Sequence, residues 1–176
     1  MGGRAAADRS EIAVPRWLTS LLRLPEVNLA IFAFLLHFVW EMLQVPLYEG
    51  MATMAHWDAV RFCTRATVGD VEISLVAFWA TAILLRPGRR WLDNPWPGPA
   101  VLFTALGVAA TFVIELLSTE VWHRWAYSEL MPVVLGVGVS PLMQWMVLSP
   151  LVVWFARRQQ VGARRLSEND GEGRKR

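Results

Sequence analysis

His37, Glu41 and Gln44 are three polar residues inside an otherwise apolar segment, NLAIFAFLLHFVWEMLQ. Residues four and seven apart lie on the same side of a helix, so this spacing predicts an imidazole, a carboxyl and an amide group on one helical face. A carboxylic acid next to a histidine can donate and accept protons. The pattern therefore predicts a proton-handling site in a segment whose composition is that of a membrane span.

Three more apolar segments carry polar residues that fall at a similar depth. In the second segment, Asp70 and Glu72 are about 200° apart on a helix, so only one of them can face the interior. Asp70 follows Gly69 at the expected start of this helix, where an aspartate caps free backbone N–H groups and faces water. We therefore expect Glu72 to face the interior, together with Glu115 of the third segment and Gln144 of the fourth.

The composition indicates an integral membrane protein. Hydrophobic residues make up 55% of the 176 residues, and ten are Trp, which is too apolar for a soluble domain of this size. About 20 helical residues are needed to cross the roughly 30 Å hydrocarbon layer, and four segments are long enough. We expect an all-α fold in which four transmembrane helices form a bundle, with spans at about residues 28–46, 68–85, 100–118 and 133–155.

The distribution of basic residues predicts the orientation. Arg and Lys are concentrated before the first span, between the second and third, and after the fourth, and such residues favour the cytoplasmic side. Both termini are therefore expected in the cytoplasm, as in a protein of the bacterial inner membrane. The segment RWLTSLLRL, residues 16–24, is expected to lie on the membrane as a short amphipathic helix. The expected divisions are a cytoplasmic tail with this helix (1–26), the transmembrane domain (27–157) and a disordered, charged cytoplasmic tail (158–176).

Charge and cysteine content exclude several kinds of function. The net charge of +2 is too small to indicate a nucleic-acid partner. A single cysteine excludes a disulfide within the chain and a multi-cysteine metal site, and no cofactor is predicted. A metal site would take its nitrogen and oxygen ligands from His37, Glu41, Glu72, Glu115 and His123. It is not predicted, because the His-x-x-x-Glu spacing that would favour it is common in helices.

The two connections expected on the outer side contain many aromatic residues. EGMATMAHWDAVRFCTRAT is expected to form an amphipathic helix on the outer surface, and TEVWHRWAYSELMP places aromatic and charged residues over the same face. These connections would either cover the polar residues or anchor the chain in the interface, and both alternatives stay open. The loop residues Trp91, Trp122 and Trp125 are predicted to belong to an interfacial belt. Trp40 and Trp145 lie inside the spans and are expected to line a pocket.

Three short motifs resemble the EXPERA superfamily, which contains the emopamil-binding sterol isomerases and the sigma-2 receptor. They are HFVWE in the first span, a carboxyl group in the second, and a tryptophan before a proline-broken stretch, QWMVLSPLVVW, in the last. The resemblance covers about residues 28–155. It implies that His37 and Glu41 form a catalytic proton-handling pair, that Glu72 is a catalytic acid facing a carbocation, and that Trp145 is a wall of the pocket.

The resulting hypothesis is a small membrane protein that binds an apolar lipid, with an isoprenoid as the expected ligand, near the outer leaflet. It would catalyse acid/base double-bond isomerisation. The sequence is also compatible with a homo-oligomer. The residues expected to bind the substrate are Trp40, Gln44, Glu115, Gln144 and Trp145.

The alternative is a non-catalytic membrane subunit or a small transporter. In that interpretation the polar cluster serves helix packing or proton passage. The inner halves of the spans (AFWATAILL, AVLFTALGVAA and MVLSPLVVWF) are almost wholly apolar. A transporter is expected to carry polar groups through both halves, so this pattern favours the first hypothesis.

Overall fold

A computed structural model describes residues 20–85, 88–93 and 97–173, with side chains as far as residue 163. Residues 16–19 of the segment 16–24, for which a surface helix was predicted, lie outside the described residues. The long helices are α1 (Pro25–Gln44), α2 (His56–Leu84), α3 (Gly98–Leu116) and α4 (Val139–Gly173).

The four helices form a closed ring. α1 packs against α2 and α4, and α3 packs against the same two helices, so that α2 and α4 face each other across the centre. Each of the four helices is long and apolar enough to cross a membrane. The predicted all-α membrane fold with four spans is therefore confirmed. We call the end with the 48–55 and 122–138 connections the outer end, following the charge-based orientation, which stays a prediction.

The second helix begins much earlier than the sequence pattern predicted. The apolar span and the amphipathic segment before it form one helix of 29 residues from His56 to Leu84. At 1.5 Å per residue this helix is about 43 Å long, more than the roughly 30 Å hydrocarbon layer requires. No proline interrupts the segment, so nothing forces the surface part to end before the span begins.

The fourth helix is preceded by a small hairpin of β1 (Val133–Val134) and β2 (Val137–Gly138). The helix contains Pro150 without ending there and continues to Gly173. This differs from the disordered tail expected after residue 157. A helix that is already nucleated by a packed span extends without a further nucleation cost, so a charged segment with few breakers can continue it.

The inner half of the bundle has an apolar core that includes one loop tryptophan. A short 3₁₀ helix, Gly88–Asp93, folds back against the bundle and buries Trp91, which is 2% exposed. The Trp91 indole N–H donates to the carbonyl of Phe78 at 3.2 Å. The prediction that Trp91 belongs to an interfacial belt is therefore wrong, because its indole packs inside the bundle and not at the membrane surface. The rest of this core is Leu29, Ala33, Ala77, Phe78, Ala82, Leu92, Phe103, Trp145, Val152 and Ala156.

At the outer end the two connections pair with each other. Tyr48 and Tyr127 form an antiparallel bridge. Beside it, the Glu49 N–H donates to the carbonyl of Ala126 at 2.9 Å, and the Ser128 N–H donates to the carbonyl of Leu47, also at 2.9 Å. These backbone bonds hold the two loops together over the outer end of the bundle.

Candidate functional site

Polar side chains from three helices meet at the centre of the bundle. Because α2 and α4 lie opposite each other, groups that connect them must cross the middle of the ring. We call this group the central polar cluster; its members are His37, Glu41 and Gln44 of α1, Asp70 of α2, and Ser140, Gln144 and Trp145 of α4.

Asp70, and not Glu72, is the α2 carboxyl group in the cluster. Its side chain is 13% exposed, and one oxygen lies 3.2 Å from His37 Nδ1. The other oxygen accepts a hydrogen bond from Trp145 Nε1 at 3.3 Å. Glu72 is exposed on the outer surface of the bundle. The predicted placement is wrong because α2 begins at His56, so Asp70 is in the middle of the helix and cannot be its cap.

The Gln144 amide connects the two carboxyl groups. Its Nε2 donates to Asp70 Oδ2 at 2.9 Å and to Glu41 Oε1 at 3.2 Å. The same nitrogen lies 2.8 Å from His37 Nδ1. A side-chain amide has only two hydrogens, and the two carboxyl groups use both of them. His37 Nδ1 is therefore left to donate its own hydrogen to Asp70.

His37 is the most deeply placed titratable residue of the cluster. Its side chain is 1% exposed, and its ring lies 5.1 Å from the Trp145 ring, centroid to centroid. The Nε2 atom has no hydrogen-bond partner among the described residues. One imidazole nitrogen thus contacts Asp70, while the other faces no polar group of the described residues.

On its outer side the cluster continues through three polar groups. Gln44 Nε2 donates to Glu41 Oε1 at 2.8 Å, and Gln44 Oε1 accepts from the Ser140 hydroxyl at 2.8 Å. The Ser140 oxygen in turn accepts from Trp40 Nε1 at 3.2 Å. Hydrogen bonds therefore run without interruption from Trp40 to Asp70. In the described part of the chain no Arg or Lys forms an ion pair with Glu41 or Asp70.

Glu115 forms a second polar group closer to the outer loops. Its side chain is 7% exposed, and Oε2 accepts hydrogen bonds from Tyr127 Oη at 2.6 Å and from Trp125 Nε1 at 3.2 Å. The helix changes to a π turn directly after it, at Leu117–Val121. Such turns are frequent at functional sites. Trp125 was predicted to be an interfacial anchor, and in the structure its indole N–H is bound to this carboxyl group.

The two tyrosines beside Glu115 remain hydrogen-bond donors over the physiological pH range. Burial raises the pKa of the Tyr127 phenol, and the hydrogen bond to Glu115 raises it further. Burial also raises the pKa of Tyr48, with a smaller contribution from the nearby Glu115 charge. Because both phenols stay protonated, the Glu115 carboxyl group always has a donor at the outer end of the bundle.

Trp145 is held in place by a glycine on the neighbouring helix. The indole is 1% exposed, and it occupies the position where a side chain of residue 107 would begin, so that a Cβ atom at Gly107 would overlap the ring. The ring also packs against Phe103, with the centroids 6.3 Å apart. Gly107 therefore allows the indole N–H to reach Asp70.

Gly107→Ala is expected to lower the stability of the folded protein by about 1–3 kcal/mol, because an added methyl group in a filled core forces neighbouring side chains to move. For a chain of this size the melting temperature in detergent should fall by about 2–12 °C. Gly162→Ala is the matched control, because nothing lies within 4 Å of its added Cβ. An equal melting temperature for Gly107→Ala and the wild type would contradict the packing described here.

The remaining residues proposed from the sequence are placed as follows. Gln44, Gln144 and Trp145 belong to the central polar cluster, Trp40 donates to the Ser140 hydroxyl of that cluster, and Glu115 lies in the separate group near the loops. The link of Ser140 to Trp40 and Gln44 appears only in the structure. Within the described ranges, no three His, Cys, Asp or Glu side chains come together as a metal site. Of the residues weighed as metal ligands, His123 is exposed and its ring contacts the carbonyl of Thr119 at 3.0 Å.

Comparison with known proteins gives one informative relative. The fluoride-specific ion channel FluC 1 of Prochlorococcus marinus (strain MIT 9313) is 26% identical over 136 residues, which cover 73% of this chain and 86% of that protein. No family model matches the chain. No solved structure matches it either.

This relative corrects the family and the function proposed from the sequence. The EXPERA resemblance is wrong, because the similarity over most of the chain is to an ion channel of a different family. The hypothesis of an isoprenoid isomerase is wrong for the same reason, and a lipid or isoprenoid ligand has no support. The finding favours the non-catalytic alternative and is compatible with a homo-oligomer. With its four membrane-spanning helices and a bacterial relative, the chain is an integral membrane protein of the bacterial inner membrane.

Proposed function

We propose that this protein is a small membrane channel or transporter whose central polar cluster passes protons. The observation that carries the proposal is the chemistry at the bundle centre. Two carboxyl groups, Glu41 and Asp70, share the Gln144 amide, and Asp70 also contacts the His37 imidazole. In the described part of the chain no Arg or Lys forms an ion pair with either carboxyl group. Such groups exchange protons with one another along their hydrogen bonds.

Direct contact between the groups favours a proton over a larger ion. The donors and acceptors from Trp40 to Asp70 are bonded to one another at distances of 2.8 to 3.5 Å. A hydrated ion would have to break several of these bonds and leave buried polar groups unpaired, at a cost of about 1–3 kcal/mol each. A proton needs only the Glu41 and Asp70 carboxyl groups and the His37 imidazole as carriers, while the indole and amide groups hold these carriers in place.

Buried polar side chains also occur in the inner half, contrary to the impression of a wholly apolar segment. Asn28, Thr81, Ser149 and Gln160 are all at most 3% exposed. The hydroxyl groups of Thr81 and Ser149 have no hydrogen-bond partner among the described residues. An unpaired hydroxyl in a bundle can bind a water molecule and extend a proton path. These residues remove the main argument that the sequence pattern offered against a transporter.

Fluoride is the second candidate, and the relative is the observation that favours it. The name of that protein states fluoride specificity. In the present chain the indole and amide N–H groups that would bind an anion are directed at Glu41 and Asp70. A bare fluoride ion would therefore meet two carboxyl groups, which repel it whenever they are ionised. Movement of fluoride together with a proton would relieve that repulsion.

Flux measurements on purified protein in liposomes separate these functions. Internal pH is followed with an entrapped dye after a potassium gradient is imposed with valinomycin, and fluoride release is followed with an electrode in a parallel sample. Proton uptake above that of protein-free liposomes supports the proposal, with or without fluoride release. Fluoride release without proton movement would establish the second candidate. If neither flux is detected, helix packing remains as the role of the cluster, and both proposed functions are overturned.

A further inference from the structure

Glu72 is a carboxyl group on the surface of the bundle that faces lipid. It lies at the edge of a groove between α1 and α2 with a volume of about 400 Å³. Apart from Glu72 the lining is apolar. The other lining residues are Ala30, Ile31, Phe34, Leu35, Val68 and Val71.

The depth of Glu72 makes lipid an unsuitable environment for it. It is seven residues from Arg65 on the outer side and 12 from the inner end of α2 at Leu84, which is about 10 Å and 18 Å along the helix. From there the short glutamate side chain does not reach the headgroup region at either interface. Among the described residues, none forms a hydrogen bond or ion pair with its carboxyl group. An ionisable group at such a position normally faces protein or a water-filled cavity.

We propose that this face of α2 is the contact surface for a second copy of the same chain. The distribution of basic residues gives every copy the same orientation, so Glu72 lies at the same depth in each. A two-fold axis beside α2 then brings the two Glu72 side chains together. Two carboxyl groups that meet at one depth can share a hydrogen between their oxygens, so each gives the other a hydrogen-bond partner. Another copy of the chain is thus a partner whose chemistry and depth both match.

The surroundings of Glu72 allow a close approach. Val76 is 70% exposed and Val68 is 45% exposed, and both lie within about 40° of Glu72 around the helix. Gly69 lies on the same face, and nothing in the chain comes within 4 Å of where its side chain would be. Small residues at such positions let transmembrane helices pack closely. Arg65 is about 10 Å nearer the outer end, where water and headgroups can solvate the two copies of its charge.

Cysteine cross-linking in native membranes tests the geometry. Val76→Cys is made in a Cys63→Ala background, since Cys63 is the one cysteine of the sequence. Oxidation with copper phenanthroline should convert most of this variant to a disulfide-linked dimer. Val101→Cys is the control, because Val101 is 65% exposed on α3. Equal, low cross-linking of the two variants would overturn the proposal, as would a Val76→Cys adduct with a different protein.

The energetic part is tested by diluting donor- and acceptor-labelled protein in lipid and following energy transfer. Glu72→Leu should weaken association about tenfold, in the range measured for polar contacts between transmembrane helices. Glu72→Gln retains a donor and an acceptor and should associate within a few-fold of the wild type. Gly69→Val should also weaken association, although its added atoms meet nothing within one copy. Wild-type protein that is monomeric at all dilutions, or that associates as tightly with Leu at position 72, would overturn the proposal. Because these readouts involve no flux, they can fail or succeed independently of the proposed function.

Discussion

Asp70→Asn is expected to lower the proton flux of the reconstituted protein by about tenfold or more, which corresponds to a barrier higher by about 1.4 kcal/mol. The substituted amide has the same shape, and its oxygen can still accept the Trp145 N–H bond. The amide cannot act as an acid, however. Its NH₂ group would stand where Asp70 Oδ2 now faces Gln144 Nε2 and His37 Nδ1, so N–H groups would face each other there. The transfer between His37 and residue 70 is therefore interrupted.

The measurement compares initial rates of internal pH change in liposomes that contain equal amounts of protein. Asp58→Asn is the matched control: it is the same substitution on the same helix, but Asp58 is exposed and pairs only with Arg61, at 3.5 Å. Melting temperatures of both variants show whether either one is misfolded. Wild-type flux through a folded Asp70→Asn protein would remove Asp70 from the proposed path.

The second large effect is expected at Glu115. Replacing Trp125 and Tyr127 together by Phe removes two hydrogen bonds to this buried carboxyl group and leaves only Tyr48 beside it as a donor in the described structure. Because the buried carboxyl group loses two donors, stability should fall by about 3 kcal/mol or more. The corresponding loss in melting temperature is about 6–12 °C for a chain of this length.

A third substitution separates the hydrogen bonds from the loss of aromatic packing. When Glu115→Gln is added to the double variant, much of the stability should return, because a neutral amide costs less to bury than a carboxylate. Trp122→Phe is the control for loss of an indole, since Trp122 is exposed and its ring lies 5.5 Å from the Arg124 guanidinium carbon. If Glu115→Gln restored nothing, the hydrogen bonds to Glu115 would not be the source of the effect.

Helical spacing predicted one face of the cluster well. His37, Glu41, Gln44 and Gln144 lie together as expected, because a period of 3.6 residues determines which side chains share a face. The choice of Glu72 over Asp70 failed for a different reason. It depended on where α2 begins, and helix boundaries are poorly determined by composition when an amphipathic segment runs into a span.

Tertiary contacts account for the other differences. The loop around Trp91 has the composition of an interfacial loop. In the structure, however, Trp91 is buried by its hydrogen bond to the Phe78 carbonyl and by the packing of the short 3₁₀ helix. The partners of Glu115 are ten and twelve residues away in a loop whose path no periodic pattern specifies. The EXPERA resemblance failed because His-x-x-x-Glu occurs in many unrelated helices. The channel relative, in contrast, aligns over 136 residues.

Infrared difference spectroscopy on reconstituted membranes tests most directly whether the central polar cluster exchanges protons with the solution. The spectrum is recorded while the external pH is stepped back and forth over a range in which the protein stays folded. The account predicts a reversible carboxylic-acid C=O band that shifts in D₂O, is absent or displaced in Asp70→Asn, and is unchanged in Asp58→Asn. Identical difference spectra for the wild type and Asp70→Asn would show that Asp70 takes up no proton, and would contradict the proposed role of the cluster.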